Sequence, residues 1–377
     1  MARPSSQEMI ARLVAFDTVS RNSNLALIDF VRAHLAPLEP RIRLTHDDDG
    51  RKANLLATLG PVGGGGYILS GHTDVVPADA ADWTTNPFRL TERDGRLYGR
   101  GAVDMKGFLG VVLACVPPFA DRLTVPLHLA LSYDEELGCV GVRRLIADLR
   151  AAGLDPGGCV VGEPTGMGVV VAHKGKETWR VRVRGRAAHA SEAPRHPSAV
   201  EGAARLATRL YDLSREFARS PQHASGFDLP FTTINVGVIE GGTAVNVVAA
   251  EAAFEMELRF LPGFDPALVI DDAGRFAREV LPDHDITFER IAGYPGLDQP
   301  EESAIVAFAR RLGGGPGISR VAFGTEAGLY QSAGIPTVVC GPGLIDQAHT
   351  RDEYVSLQQV AACEAFVERM MGDLCGP

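Results

Sequence analysis

No cysteine in this chain stands in a C-x-x-C pair. The six, Cys115, Cys139, Cys159, Cys340, Cys363 and Cys375, are scattered, and several lie inside apolar runs. They read as small buried hydrophobes of a reducing compartment, which argues against zinc held by thiolates. Long apolar runs are missing too: none approaches the roughly 20 residues that span a bilayer. Nor is there an excess of positive charge. Lys and Arg number 37 against 47 Asp and Glu, a formal net charge of −10. That balance argues against nucleic acid or an anionic membrane surface as the main partner. The opening Met1-Ala2-Arg3-Pro4-Ser5-Ser6 has no apolar h-region, so no signal peptide is expected and the cytoplasm is the expected compartment. A nucleotide cradle is also absent. The glycine-rich stretches Gly60–Gly66 and Gly313–Gly317 lack the Lys-Ser/Thr of a P-loop and read as flexible connections. The turn from Gly99 to Gly107 has Asp104 where a dinucleotide fingerprint needs its third glycine, and no apolar strand before it.

What remains is a soluble enzyme-like chain. With 377 residues, 45% hydrophobic and 22% charged, it exceeds what one core usually supports, so two domains are expected. Apolar runs near 67–71, 127–133, 159–162 and 168–172 alternate with helical stretches near 106–117 and 139–152, the βαβ rhythm of a parallel sheet. At Thr178–Arg184 the pattern changes to strict alternation, as in a strand with one solvated face. A helix over 197–218, strands near 231–240 and 250–260, a helix over 265–280 and a strand near 285–291 follow, giving the β-α-β-β-α-β order of a ferredoxin-like unit. Afterwards the α/β rhythm resumes. The expected fold is α/β: a mostly parallel-sheet catalytic domain over 1–174 plus 291–377, interrupted by a ferredoxin-like α+β satellite at 175–290.

Carboxylates and histidines collect where the apolar runs end. Glu135 and Glu136 follow Leu127–Leu131, His72 and Asp74 follow Tyr67–Ser70, Glu163 follows Cys159–Val161, His349 follows Thr337–Cys340, and Asp104 sits in the Gly99–Gly107 turn. In an open α/β sheet, ligands gather at the carboxyl ends of the strands. Adjacent residues on an extended chain point opposite ways, so one of Glu135 and Glu136 can bind a metal while the other faces a substrate. His72 and Asp74, two residues apart, share a face, which lets Asp74 orient the imidazole. Singly, each acid is a surface carboxylate or a helix cap. Together they point to divalent ions held by oxygen and nitrogen: His72 and Glu163 on one, Glu136 and His349 on the other, Asp104 bridging. Unligated Glu135, beside a water shared by the ions, is then the natural general base.

Ser70–Pro77, Gly99–Gly107, Asp134–Gly138 and Gly162–Thr165 resemble, in order and over the whole chain, the co-catalytic zinc aminoacylase superfamily. That superfamily includes acetylornithine deacetylases, succinyl-diaminopimelate desuccinylases and related carboxypeptidases and dipeptidases. The resemblance implies two Zn²⁺ ions, with Co²⁺ or Mn²⁺ also suited to these ligands. It implies a satellite that forms a homodimer and a small N-acyl amino acid as substrate. By carry-over His72, Asp104, Glu136, Glu163 and His349 are the metal ligands, Asp74 the orienting acid and Glu135 the base. His189, in Ala187–Ser191, matches the histidine that stabilises the oxyanion, often from the neighbouring subunit. Asn246 and Arg259 match positions that bind the substrate carboxylate. One departure is His196, where the superfamily commonly has glycine. The C-terminal segments Phe323–Gly328 and Asp346–Tyr354 resemble the acetylornithine deacetylase branch and lack the Gly-Gly-Thr-Ser-Asp of desuccinylases. Glu326 is accordingly expected to pair with a substrate side-chain ammonium. The alternatives are a relative acting on another N-acyl amino acid or dipeptide, and a metal-binding scaffold without catalysis.

Overall fold

Ala53–Leu59 is buried along its whole length, as a strand covered on both faces must be, and its run of Leu and Ala supplies the apolar surface for that. The computed structural model describes residues 4–63, 65–220 and 224–376. Met1–Arg3 of the opening segment and Gly64 of the first glycine-rich stretch lie outside the described residues. In chain order the first strands are β1 (Arg41–His46), β2 (Ala53–Leu59), β3 (Tyr67–His72), β4 (Thr91–Arg93), β5 (Arg96–Tyr98), β6 (Leu127–Ser132), β7 (Gly158–Val161) and β8 (Gly168–His173). There follow β9 (Gly175–Arg184), β10 (Ala188–His189), β11 (Thr233–Gly241), β12 (Val247–Val248), β13 (Glu251–Phe260) and β14 (Asp285–Tyr294). The chain closes with β15 (Leu297–Asp298), β16 (Gly315–Val321), β17 (Thr337–Val339) and β18 (Tyr354–Ser356).

Two compact units result. The first comprises Met1–Ala172, Leu297–Arg320 and Thr325–Pro377; the second comprises His173–Gly296 and Val321–Gly324. The unit edges thus fall at 172/173 and 296/297, a few residues from the expected 174/175 and 290/291, and a short return segment joins the second unit. One reason is β14, which stays paired with β9 as far as Tyr294 opposite Lys176.

In the first unit the main sheet runs β1-β2-β6-β3-β7-β17-β8-β15, with β16 on β8. Its centre is parallel: β3 lies between β6 and β7, and β17 pairs with β7. The register sets His72 opposite Ser132, so the carboxyl ends of β3 and β6 lie level. Every residue of the helix Lys106–Cys115 is buried. It reaches the end of β7 because residue 162 is glycine: a Cβ there would sit 2.1 Å from the Phe108 ring. A separate three-stranded sheet, β18-β5-β4, holds the segment after His349 against the Gly99–Gly107 turn. The turn is therefore preceded by a strand after all. At three residues each, β4, β5 and β18 are too short to leave a periodic signature in sequence.

The second unit has the antiparallel sheet β11-β13-β9-β14, the strand order of a ferredoxin-like fold. Its helices Ala199–Arg219 and Ala267–Val280 bury their apolar stripes in one core with Val181, Val183, Phe254 and Leu258. The alternation in β9 sends Arg180, Arg182 and Arg184 outward to cross-strand acids, including Glu289 at 3.1 Å and Asp285 at 3.9 Å.

Candidate metal centre

Asp104 is the hinge of the cluster, because its two carboxylate oxygens face different histidines. Oδ1 lies 2.9 Å from His72 Nε2, and Oδ2 lies 3.1 Å from His349 Nε2. Glu163 Oε1 is 3.5 Å from His72 Nε2, and Glu136 Oε1 is 2.9 Å from His349 Nε2. The ligand atoms of His72, Asp104 and Glu163, and those of Asp104, Glu136 and His349, each lie within 4.8 Å of one another. All five belong to the first unit. His72 ends β3, while Glu136 and Glu163 follow β6 and β7, the topological position at which open α/β sheets bind ligands. His349 and Asp134 adopt left-handed φ values of 58° and 53°, a conformation that His and Asp tolerate better than most residues.

The electrostatics fit divalent cations. Burial disfavours charge on His72, yet hydrogen bonds to Asp104 and Asp74 and the field of Glu163 hold its imidazole well above the ordinary value. Hydrogen bonds to Asp104 and Glu136 carry His349 up to about 10. Burial and then Asp104 push Glu163 well above the carboxylate range and raise Glu136. Protons on these side chains supply the positive charge that so many close carboxylates require, and divalent cations would supply it instead.

One expectation about this region is corrected and another is extended. Glu135 and Glu136 do not lie on an extended chain. The strand stops at Ser132, and Gly138 and Cys139 both donate backbone N–H groups to Glu135 O at 2.8 Å. The two glutamates therefore diverge from a tight turn instead of from strand alternation. Asp74 also makes more contacts than the one expected to an imidazole. His72 Nδ1 is held by the Asp74 backbone carbonyl at 2.9 Å, with the carboxylate at 3.5 Å. The carboxylate accepts the N–H of Glu135 at 3.1 Å, the N–H of Glu136 at 3.3 Å and the hydroxyl of Ser20 at 2.8 Å. Behind the same turn, Lys52 Nζ grips both oxygens of Asp134 at 2.5 and 2.7 Å. Nothing in the sequence singled out Lys52 or Ser20, because each is an isolated polar residue far along the chain from its partner.

Glu135 is half-buried, and burial together with Glu136 and Glu326 pushes its carboxyl up to about 8 despite the opposing field of His72. The thiol of Cys139 donates to its Oε1 at 3.3 Å. Cys139 is buried as expected, yet it is more than a small hydrophobe, since it contacts the expected base.

Glu326 requires a larger correction. It is 1% exposed; its Oε1 accepts the Ser132 hydroxyl, and its Oε2 lies 3.5 Å from Ser70 Oγ, which itself meets Tyr330 OH at 2.9 Å. A carboxylate sealed under β3 and β6 and engaged by hydroxyls does not present itself to a substrate ammonium. Its carboxyl is pushed up to about 7, chiefly by burial.

The remaining expected residues belong to the second unit. His189 pairs with Val247 across the β10–β12 ladder, and Ala190 N–H donates to Asn246 O at 3.0 Å, so His189 and Asn246 are neighbours. Ser191 N–H donates to His189 Nδ1 at 3.2 Å, so the neutral ring carries its proton on Nε2. His196 closes the short helix Ala190–Arg195, its N–H donating to Ala193 O at 3.2 Å. Arg259 is not beside these residues. It stands at the far end of β13, its Nε donating to Glu257 at 2.6 Å and its Nη1 facing Tyr294 OH at 3.4 Å. Along β13 from Glu251 to Arg259 the chain rises about 26 Å at ~3.3 Å per residue.

An α/β domain with carboxylates and histidines converging at its strand ends, beside a half-buried acid of raised proton affinity, defines a metal-dependent hydrolase. The chain belongs to peptidase family M20/M25/M40, whose profile matches residues 68–373. It is 37% identical over 383 residues to the acetylornithine deacetylase of Myxococcus xanthus, spanning 99% of this chain and 98% of that protein. To the acetylornithine deacetylase of Pasteurella multocida (strain Pm70) it is 33% identical over 390 residues, spanning 99% and 98%. Among solved structures, an M20 family metallo-carboxypeptidase from Sulfolobus solfataricus shares the fold with a TM-score of 0.80 at 17% identity, covering 99% of each chain. Human carnosine dipeptidase 1 shares it with a TM-score of 0.74, covering 99% of this chain and 97% of that one. Among the described residues no helix is long and apolar enough to cross a membrane.

Proposed function

We propose that this chain is a two-metal amidohydrolase that removes the acetyl group from N²-acetyl-L-ornithine, releasing L-ornithine and acetate for arginine synthesis. The observation that carries the chemistry is Asp104, whose two oxygens each serve one triad of potential ligands. The substrate rests on the relatives named above, which resemble the chain over nearly its full length. His72, Asp104 and Glu163 would hold one ion, and Asp104, Glu136 and His349 the other. Zn²⁺ is the proposed metal, and the oxygen and nitrogen donors equally suit Co²⁺ or Mn²⁺. When bound, such ions acidify water and polarise an acyl carbonyl.

The protein's own groups do the rest. Glu135 takes the proton of the attacking water and returns it to the leaving amine. Atoms balance: the acyl C–N bond breaks, hydroxide stays with the acetyl group and the proton goes to nitrogen. His189 donates its Nε2–H to the developing oxyanion. Arg259 and Asn246 take the substrate carboxylate, Arg259 as the charged partner. Because β13 separates Asn246 and His189 from Arg259, we assign the two sets to different protomers of a homodimer built on the second unit. Its compartment is the cytoplasm, which agrees with six free cysteines.

The buried position of Glu326 favours a second reading, a deacylase of the same chemistry with broader use of N-acyl amino acids. The deciding measurement is kcat/KM of metal-loaded protein on N²-acetylornithine, other acetylated amino acids and succinyl-diaminopimelate. A preference for acetylornithine of tenfold, ~1.4 kcal/mol of transition-state discrimination, is expected. A flat profile would select the second reading.

A further inference from the structure

Glu353 sits four positions beyond His349 and is 1% exposed. Its Oε1 accepts two backbone N–H groups, from Val103 at 2.9 Å and from Asp104 itself at 3.1 Å. Its Oε2 pairs with Arg100 Nη1 at 2.5 Å, and its backbone carbonyl accepts Gly99 N–H at 3.0 Å. Arg100 is held in turn: it is 4% exposed, stacks 5.1 Å over the Trp83 ring and donates Nη2 to Pro77 O at 3.3 Å. The pairing of Tyr354 with Tyr98 brings Glu353 beside the turn. One buried side chain thus clamps the peptide of the shared ligand to the segment that carries another.

Resting on the two-ion reading above, we propose that Glu353 is a positioning residue of the metal centre, fixing bridging Asp104 relative to His349 so that the second ion binds tightly. The ion pair with Arg100 is a stability element that any buried carboxylate at this height could make. The two bonds to Val103 and Asp104 differ in kind, because they set the backbone from which the bridging carboxylate projects. Losing them loosens the one ligand that both ions share, while each ion keeps its private ligands. The coupling between the ions should suffer before the affinity of the first does.

Two conservative variants separate these roles. Glu353→Gln keeps an oxygen for the two N–H groups and loses the charge facing Arg100. Glu353→Asp keeps the charge and withdraws it by one methylene from the backbone it holds. Co²⁺ binding to the full-length protein, followed by competition with a chromophoric chelator and by the cobalt absorption spectrum, counts the ions and gives both affinities. Melting temperature is followed in parallel. The wild type should bind two Co²⁺. Glu353→Gln should bind both within about threefold of wild type, whereas Glu353→Asp should bind the second at least tenfold more weakly, the scale seen for groups that orient metal ligands. The opposite order, or losses in both variants that track melting temperature alone, would overturn the proposal. A wild type that binds one Co²⁺ or none would overturn the two-ion reading itself, and this proposal with it.

Discussion

Asp74 Oδ1 accepts the backbone N–H of Glu135 at 3.1 Å, and its other oxygen accepts that of Glu136 at 3.3 Å. The acid beside the His72 ring is therefore also the anchor of the turn that carries the proposed base and a proposed ligand.

Replacing Asp74 with Asn should damage both tasks. The amide turns a donor toward groups that are themselves donors, the N–H of Glu136 and the hydroxyl of Ser20. A fall in kcat of about 10–100-fold is expected, with metal affinity reduced as well. Steady-state kinetics with metal titration will check this; retention of full kcat would remove Asp74 from the positioning machinery.

Glu135→Gln should behave differently. Glu135 belongs to neither ligand triad, so bound metal should stay at the wild-type level while kcat drops at least about 100-fold, the scale of a lost general base. Elemental analysis alongside kinetics separates the two effects. Substantial turnover in the variant would refute the assignment.

Glu326→Gln is a test of what burial decides. Since its carboxyl meets Ser132 and Ser70, the ratio of kcat/KM for acetylornithine over acetylmethionine should stay within about threefold of wild type. Glu326→Leu should instead cost stability on the order of 1–3 kcal/mol, because the buried hydroxyl of Ser132 loses its partner. A collapsed preference in Glu326→Gln would restore the ammonium role that the structure removes.

Metal removal should make stability depend on pH. In the metal-free protein His72 is raised well above, and His349 to about 10 from, an ordinary value of 6.5. A raised histidine contributes stability that is fully present below the unfolded value and is lost as pH climbs through the folded one. Glu135, raised to about 8 from 4.5, acts in the same direction, because its burial penalises the charge that the unfolded chain accepts freely. The chelated protein should thus melt at progressively lower temperature from pH 6.5 to 10. Metal-loaded protein should show a much weaker slope, and metal affinity should rise with pH as protons give way to cations. Parallel slopes with and without metal would contradict the proposed ligands.

The proposed dimer makes a complementation prediction. If His189 and Arg259 act in one site from different protomers, His189→Ala and Arg259→Ala should each be nearly inactive, and their 1:1 mixture, after subunit exchange, should regain about a quarter of wild-type activity. No recovery despite demonstrated exchange would place both residues in the same protomer's site.

The sequence by itself determined the class of fold and the chemistry. Continuous apolar runs such as Leu127–Leu131 demand a buried parallel sheet, the alternation at Thr178–Arg184 demands a half-exposed one, and acids and histidines at run ends mark where ligands converge. These signals are local, so they survive in one dimension. Tertiary structure decided contacts that no motif marks because the partners are distant in the chain: Lys52 reaching Asp134, and Glu353 clamping the Asp104 peptide. It also decided exposure. Glu326 and Glu135 are both acids beside a glycine-containing segment in the sequence, and only the closing of β3 and β6 over one of them makes it a buried brace while the other stays half open. Burial and long-range hydrogen bonding are properties of the assembled layers, and no window of residues carries them.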